Sequence, residues 1–218
     1  QKYDETADVT IALMRYGTGV PLHHQEKWQE MMGVPIQSST AWDRVEELAS
    51  SLYPAYEKLI EQASQSHLSY IDDTTARVTL LKKALQKGEV KRCGLYTTGV
   101  HAKVDDKTIN LFMTGNRHAG ENLDRLLERR RNDLSPMIRM SDALSSNRPK
   151  LKSVVECLCL VHARRQFKDA EVEGRAETQH VILEFGKIFN NDKKTKEKRL
   201  TNIERLSYHQ KRSEKILK

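Results

Sequence analysis

The stretch "CLCLVHARRQF", residues 157–167, gathers two thiols, an imidazole and two guanidinium groups within eleven positions. Cys157, Cys159 and His162 are zinc-ligand types. A structural zinc site takes four ligands, however, and no fourth Cys or His stands at a usual spacing; Cys93 is the one remaining thiol. A dithiol redox motif separates its cysteines by two residues, and this pair is separated by one. The plainer reading buries Cys157 and Cys159 as small apolar side chains at a strand end, where Cys-x-Cys points both to one face. A third reading makes His162 part of an active site whose other members lie elsewhere in the chain.

Those other members are sought among the acids. "HLSYIDDTT" (67–75) reads as a short strand ending in acidic residues, and "SPMIRMSDALSSN" (135–147) as another ending at Asp142. Two carboxylates about 4 Å apart repel by roughly 1 to 4 kcal/mol at effective dielectrics of 80 to 20. They persist side by side when a cation lies between them or one proton is shared. Oxygen-only ligands favour magnesium or manganese, and paired ions stabilise both the attacking and the leaving oxygen of a phosphoryl transfer. Aspartates are equally common as turn residues and helix caps, and the pattern alone leaves both readings open.

The elements that must position these groups follow from periodicity. "PLHHQEKWQEMMG" predicts a helix ending at Gly33, and Ser38 or Ser39 offers an N-cap to a second helix with Trp42, Val45, Leu48, Ala49 and Leu52 on one apolar face. The pair has the outline of a helix-turn-helix with Thr40, Asp43 and Arg44 on its outer side, an outline that any helical hairpin shares. Pro54 suits the first turn of a third helix, with Tyr56, Leu59, Ile60 and Ala63 inward. "GLYTTGVHAKV" alternates with Tyr96, Thr98, Val100, Ala102 and Val104 on one face. A three-residue loop, Asp105 to Lys107, joins it to "TINLFMTG", where Ile109, Leu111 and Met113 share a face. "HAGENLDRLLERRR" follows as a helix with Leu123, Leu126 and Leu127 inward. A strand, a hairpin, a crossover helix and a further strand make a mixed α/β sheet.

Composition narrows the rest. Hydrophobic residues make up 38% and charged residues 31% of the 218, which suits a helical protein with much solvated surface, and no apolar run approaches the roughly 18 residues of a membrane span. There is no basic-then-apolar leader, so the chain reads as an internal fragment of a longer cytosolic protein. Three cysteines argue against a disulfide framework. The net charge of +7 is uneven: residues 187–218 hold eleven Lys and Arg against four acidic residues, and the rest is balanced. Such a tail meets nucleic acid through phosphates or is the solvated face of a lysine-rich helix.

"YIDDTT", "GNRHAGENLDRLLERR", "MSDALSSN" and "CLCLVHARRQF" stand in the order and approximate spacing of the bacterial insertion-sequence transposases of the IS-sixty-six family. The resemblance runs through nearly the whole chain, from "GVPLHHQEKWQEMMGVPIQSSTAWDRVEEL" to "RLSYHQKRSEKIL". It implies a ribonuclease-H-like catalytic core of the Asp-Asp-Glu type (67–172), preceded by a helical region (1–66) and followed by a basic helical insertion (173–218). By position Asp72 and Asp142 match the first two catalytic and metal-binding carboxylates, with Asp73 the adjacent residue of the same motif. They would hold magnesium, or manganese, for attack on a DNA phosphodiester. The family's Cys-x-x-His element is matched by Cys159, as support, and His162, as a donor to a phosphate oxygen. Arg164 and Arg165, with Arg44, Lys193 and Lys194, are the candidate DNA contacts.

The third carboxylate lies, in that family, in a motif of paired asparagines followed by glutamate and arginine. "NND" at 190–192 is followed by Lys193 and Lys194 and is read as a decoy, and Glu177 as a poor substitute because an insertion intervenes. The fragment is therefore expected to be inactive alone. The resemblance further implies element ends and target DNA as partners, a homo-oligomer in the active complex, accessory proteins of the same element, no membrane, and a cytoplasmic, nucleoid-associated location. The competing readings are a non-catalytic DNA-binding module and a helical interaction fragment.

Overall fold

The structure is a computed structural model describing residues 3–77, 86–88, 94–150, 154–170 and 175–217. Cys93 lies outside the described residues. The chain divides into two compact units, Gln1–Gln62 and Ala63–Lys218.

The first unit is helical. α1 (Glu5–Ala12) is capped by Asp4, whose carboxylate accepts the Ala7 N–H at 2.9 Å, and runs on into a π turn at Leu13–Gly17. α2 (Leu22–Met31) stops as expected before Gly33, whose φ of 75° is the left-handed conformation that glycine adopts without a Cβ clash. α3 (Ser38–Ser64) departs from expectation in three ways. Its cap is Gln37, whose carbonyl accepts the Ala41 N–H, while Ser38 is already helical and gives both its N–H and its hydroxyl to Glu26 of α2. That carboxylate sits at a helix N-terminus, and the two Ser38 bonds hold its pKa below the usual glutamate value.

The second departure is Pro54, which lies inside the helix and starts no third one. Proline removes one backbone bond and costs about 3 kcal/mol in a helix interior. Residues 49–55 are all exposed, so the orphaned carbonyl meets water, and the helix continues. The third is the phase of the apolar stripe. Ala41 and Val45 pack with Ile11 and Ile36, whereas Trp42 and Leu52 are more than half exposed. The unforeseen α1 decides the inward face.

The second unit holds the sheet: β1 (Leu68–Arg77), β2 (Gly94–Val104), β3 (Lys107–Gly115), β4 (Met137–Ser141) and β5 (Val154–Leu158), ordered β3-β2-β1-β4-β5. β1, β2 and β3 are antiparallel neighbours; β1, β4 and β5 are parallel. This mixed α/β arrangement is consistent with a ribonuclease-H-like sheet with flanking helices. The β2–β3 loop has two residues, not three: Val104 pairs with Lys107, and Asp105 takes a φ of 52°. Such a positive φ is what a tight primed turn demands.

α4 (Ala119–Leu127) buries Leu123, Leu126 and Leu127, and the sheet face it belongs with carries Ile71, Val100, Ala102, Ile109, Leu111 and Met113, all buried. Among the described residues no helix is long and apolar enough to cross a membrane. β5 leads into α5 (Leu160–Ala170), and then come α6 (Ala176–Glu197), α7 (Asn202–Arg212) and α8 (Glu214–Leu217).

α6 and α7 are tied at Asp192, which accepts from Lys196 at 2.7 Å and Arg205 at 2.8 Å. Lys196 and then Arg205 pull the Asp192 pKa below its ordinary value against the opposing effect of burial. An acid depressed on folding adds stability above its unfolded pKa and loses it as pH falls through the folded one. As pH drops from about 5 through the ordinary aspartate value of about 3.9, the urea midpoint of the wild type is expected to fall more steeply than that of Asp192→Asn. Parallel curves would show that the tie adds nothing.

Candidate functional site

β1 presents its two aspartates to opposite faces, because successive strand side chains alternate. Asp73 points to the α4 side. Its Oδ1 accepts the Thr98 hydroxyl at 2.6 Å, its Oδ2 accepts the Ala119 N–H at 2.8 Å, and the His118 ring stands 3.6 Å away. Its carboxylate is almost buried and caps α4. Asp72 points to the other face with its side chain 62% exposed. The neighbour that pattern reasoning could not separate from Asp72 is thus committed to the fold, and Asp72 is open to a ligand.

Asp72 is not at a strand end, as expected, but in the middle of β1, which stays paired with β2 as far as Arg77. What ends at this level is the pairing with β4, whose last partners are Tyr70 and Met140. Counting on by two brings Asp72 level with Asp142, just past the end of β4, on strands about 4.8 Å apart. Asp142 is fixed from behind: its Oδ1 accepts Asn147 Nδ2 at 2.6 Å and the Leu144 N–H at 3.3 Å. Asn147 is buried, and its carbonyl accepts from the guanidinium of Arg139, which is fully buried on β4 and 3.2 Å from Glu156 of β5.

Burial lowers the Arg139 pKa, and Glu156 opposes that shift. Sequence reasoning missed this relay from Glu156 through Arg139 and Asn147 to Asp142. Its signal is the arginine in "MIRMS", which takes an inward position between Met137 and Ser141.

His162 is the third residue of α5. Its Nε2 lies 3.9 Å from Asp72 Oδ2, and its Nδ1 is buried without a hydrogen-bond partner among the described residues. The acid beside the imidazole is therefore Asp72, where the Asp142 side was expected. Cys159 supports the helix start through its backbone: its N–H donates to Ser141 O at 2.8 Å and its carbonyl accepts the Ala163 N–H. Cys157, on the edge strand β5, and Cys159, just past its end, are free thiols and only half-buried, so the expectation that both are buried does not hold. Arg164 and Arg165 stand in the second turn of α5 and not at its first N–H groups. Arg165 is exposed and Arg164 half-buried, its Nε without a partner among the described residues.

A cavity of about 300 Å³ opens on this face, lined in part by Tyr70, Asp72, Phe112, Ser141, Cys159 and His162. The structure thus brings Asp72, His162 and Cys159 together, whereas Asp142, just past the end of β4, is not among the residues that line the cavity. Asp72 and Asp142 offer hard oxygen donors of the kind magnesium takes, and Asp142 Oδ1 is already held by two N–H donors. Among the described residues no group of three or more His, Cys, Asp or Glu is arranged to hold a metal ion. Glu177, exposed in the first turn of α6, stands outside the cavity lining.

The remaining candidates divide. Lys193 and Lys194 are exposed on α6, with Lys193 3.8 Å from Glu197. Arg44 is a correction. It was expected on the outer side of its helix, but it grips the buried Asp8 of α1 through two bonds, Nε to Oδ1 at 2.7 Å and a second to Oδ2, and also bonds Glu47. The Arg44 bond holds the Asp8 carboxyl below its usual range. A guanidinium so engaged has lost its fork to an internal carboxylate.

Compared with known proteins, residues 3–218 match the family model described as Transposase IS66 family. No curated protein matches the chain.

Proposed function

Because the chain belongs to the IS66 transposase family, we propose that its second unit carries part of a metal-dependent DNA cleavage and strand-transfer site of the Asp-Asp-Glu type. The observation that carries this reading is the pair of strand positions Asp72 and Asp142, one exposed beside His162 and the other held by Asn147. Asp72 and Asp142 would hold magnesium or manganese, which when bound supplies charge neutralisation at the phosphate under attack. The chain's own groups do the rest. Asn147 and the Leu144 N–H orient the Asp142 carboxylate. His162 Nε2 faces the open side of Asp72, from which it can donate to a non-bridging phosphate oxygen. Arg165 and Arg164, one turn further along α5, extend a cationic surface for the flanking phosphates, and Lys193 and Lys194 lengthen it.

Two carboxylates are fewer than this reaction type uses, and we take the third to lie outside residues 1–218. The reading includes element ends and target DNA as substrates, two or more copies in the working assembly, and accessory proteins of the element. The test is divalent-dependent cleavage of element ends by the full-length enzyme, comparing wild type with the Asp72 variants argued in the Discussion. His162→Ala is expected to slow cleavage about tenfold or more, roughly 1.4 kcal/mol per tenfold, with the unfolding midpoint and most DNA affinity unchanged. Wild-type cleavage with a lowered midpoint would assign His162 to packing instead.

A further inference from the structure

Arg139 is the largest fully buried side chain among the described residues. A charge taken wholly out of water is costly unless it is well paired. The carboxylate that meets it, Glu156, stands beside it in register on the edge strand β5, 3.2 Å away and with its side chain still 36% exposed. Glu156 is also shared, since its other oxygen lies 3.7 Å from Arg148 Nε. The Arg139 Nε has no hydrogen-bond partner among the described residues. Burial is the main cause that lowers the guanidinium pKa and Arg148 adds to it, while Glu156 and then Asp142 hold it up. An ion pair of this make is a poor source of stability, because apolar side chains of similar volume often serve a fold as well.

What the guanidinium does hold is a turn. One terminal nitrogen of its fork takes Glu156, and the other donates to the Asn147 carbonyl at the end of the short helical turn Ser145–Asn147. Asn147 then donates from Nδ2 to Asp142 Oδ1 at 2.6 Å. Its own Oδ1 is buried without a partner among the described residues, so the amide is aimed by its main chain on one side and by Asp142 on the other. The Leu144 N–H, at 3.3 Å, falls on the same oxygen of Asp142. Both bonds load Oδ1 and leave Oδ2 for a ligand. Carboxylates that bind metal are themselves held by hydrogen bonds in this way, and losing such a partner typically costs roughly 10- to 100-fold in metal affinity.

We infer that Arg139 is a positioning residue for Asp142: anchored by Glu156, its guanidinium fixes the main chain of Asn147, whose amide then presents Asp142 with Oδ2 open to a divalent ion. This rests on the transposase reading above and deepens it, putting a buried charge pair in control of one metal carboxylate. Arg139 is fully buried and touches no substrate, so it acts through Asn147 alone. The planar fork suits the task, because it sends one nitrogen to each of two partners where lysine has a single nitrogen for both.

Two readouts on the 218-residue chain test this without DNA. The first needs no metal. Hydrogen exchange of the Asn147 side-chain amide, followed by NMR, is expected to be slow in wild type and about tenfold or more faster in Arg139→Met, with the backbone amides of β2 still protected. The second is Mn²⁺ affinity by titration calorimetry. Arg139→Met and Asn147→Ala are each expected to weaken it about 10- to 100-fold, the two together no more than either, and Arg139→Met to add nothing in an Asp142→Asn background. Arg139→Lys should recover part of the loss. Arg139→Met/Glu156→Gln removes both charges together and serves where Arg139→Met alone does not fold. Unchanged Asn147 exchange in these variants would overturn the inference, and so would an equal loss of Mn²⁺ affinity with and without the Asp142 carboxylate, which marks Arg139 as packing. An affinity that Asp142→Asn leaves untouched would count against the metal reading alone, because the Asn147 signal still decides whether Arg139 positions Asp142.

Discussion

Asp72→Ala is expected to lower divalent-dependent cleavage by the full-length transposase at least about a thousandfold while leaving the unfolding midpoint where it was. Its neighbour should do the reverse. A metal-holding carboxylate contributes several kcal/mol to the transition state, and each 1.36 kcal/mol is tenfold in rate. Asp72 spends nothing on the fold that would be lost, because its side chain faces outward and the Asp73 N–H donates to its Oδ1 only locally.

Asp73→Ala leaves the Thr98 hydroxyl and the Ala119 N–H without their buried acceptor. An unsatisfied donor costs roughly 1–3 kcal/mol, so the expected loss is about 2–3 kcal/mol, read as a lower urea midpoint with cleavage retained where the protein is folded. Were Asp73→Ala to abolish cleavage at full stability while Asp72→Ala cut normally, the metal-binding role would pass to Asp73 and the assignment of faces would be wrong.

Gly120→Ala should be the most damaging single methyl in the second unit. Gly120 is buried in the first turn of α4 against the turn that follows β4. A Cβ there would fall 2.8 Å from the Ser146 carbonyl oxygen and closer still to that of Arg148. Both neighbours are backbone, so no side chain can swing away, and overpacking of this kind costs about 1–3 kcal/mol or somewhat more. The displaced turn is the one that carries Asn147 onto Asp142. Gly120→Ala is therefore expected to lower the urea midpoint by about 3 kcal/mol of stability and to slow cleavage beyond what the unfolded fraction explains. An unchanged midpoint would mean that the turn yields freely and that α4 does not fix Asp142.

Much of this was legible before any coordinates. Alternation in "GLYTTGVHAKV" and "TINLFMTG" identified the faces of β2 and β3 because one face of an antiparallel sheet is buried and the other is not. The same alternation separates Asp72 from Asp73 in principle, but two adjacent acids do not say which face is covered. That is decided by α4, through the Ala119 N–H that needs an acceptor. In α3 the period was right and the phase wrong. Trp42 and Leu52 are larger than Ala41, and a stripe drawn through the largest residues turns away from a core whose partner, Ile11, comes from a helix that the pattern did not announce. Arg44 failed for the same reason, since its partner Asp8 is thirty-six positions away. The relay behind Asp142 was invisible as a relay, because hydrogen bonds between β4, β5 and the intervening turn have no period.

The parallel pairing of β1 with β4 also orders events in time. β2 and β3 close through a two-residue turn, and β1 joins them with Asp72 opposite Gly99. Leu68 meets Ile138 only across seventy positions of chain. Loop closure over longer spans costs more entropy, and non-local parallel pairing is slow. The two aspartates therefore belong to parts of the chain that mature at different moments. On a ribosome, Asp72 is synthesised and paired while Asp142 is still to come. A half-finished molecule exposes one acid and lacks the other, so any metal site that the two aspartates share can form only after β4 has docked on β1.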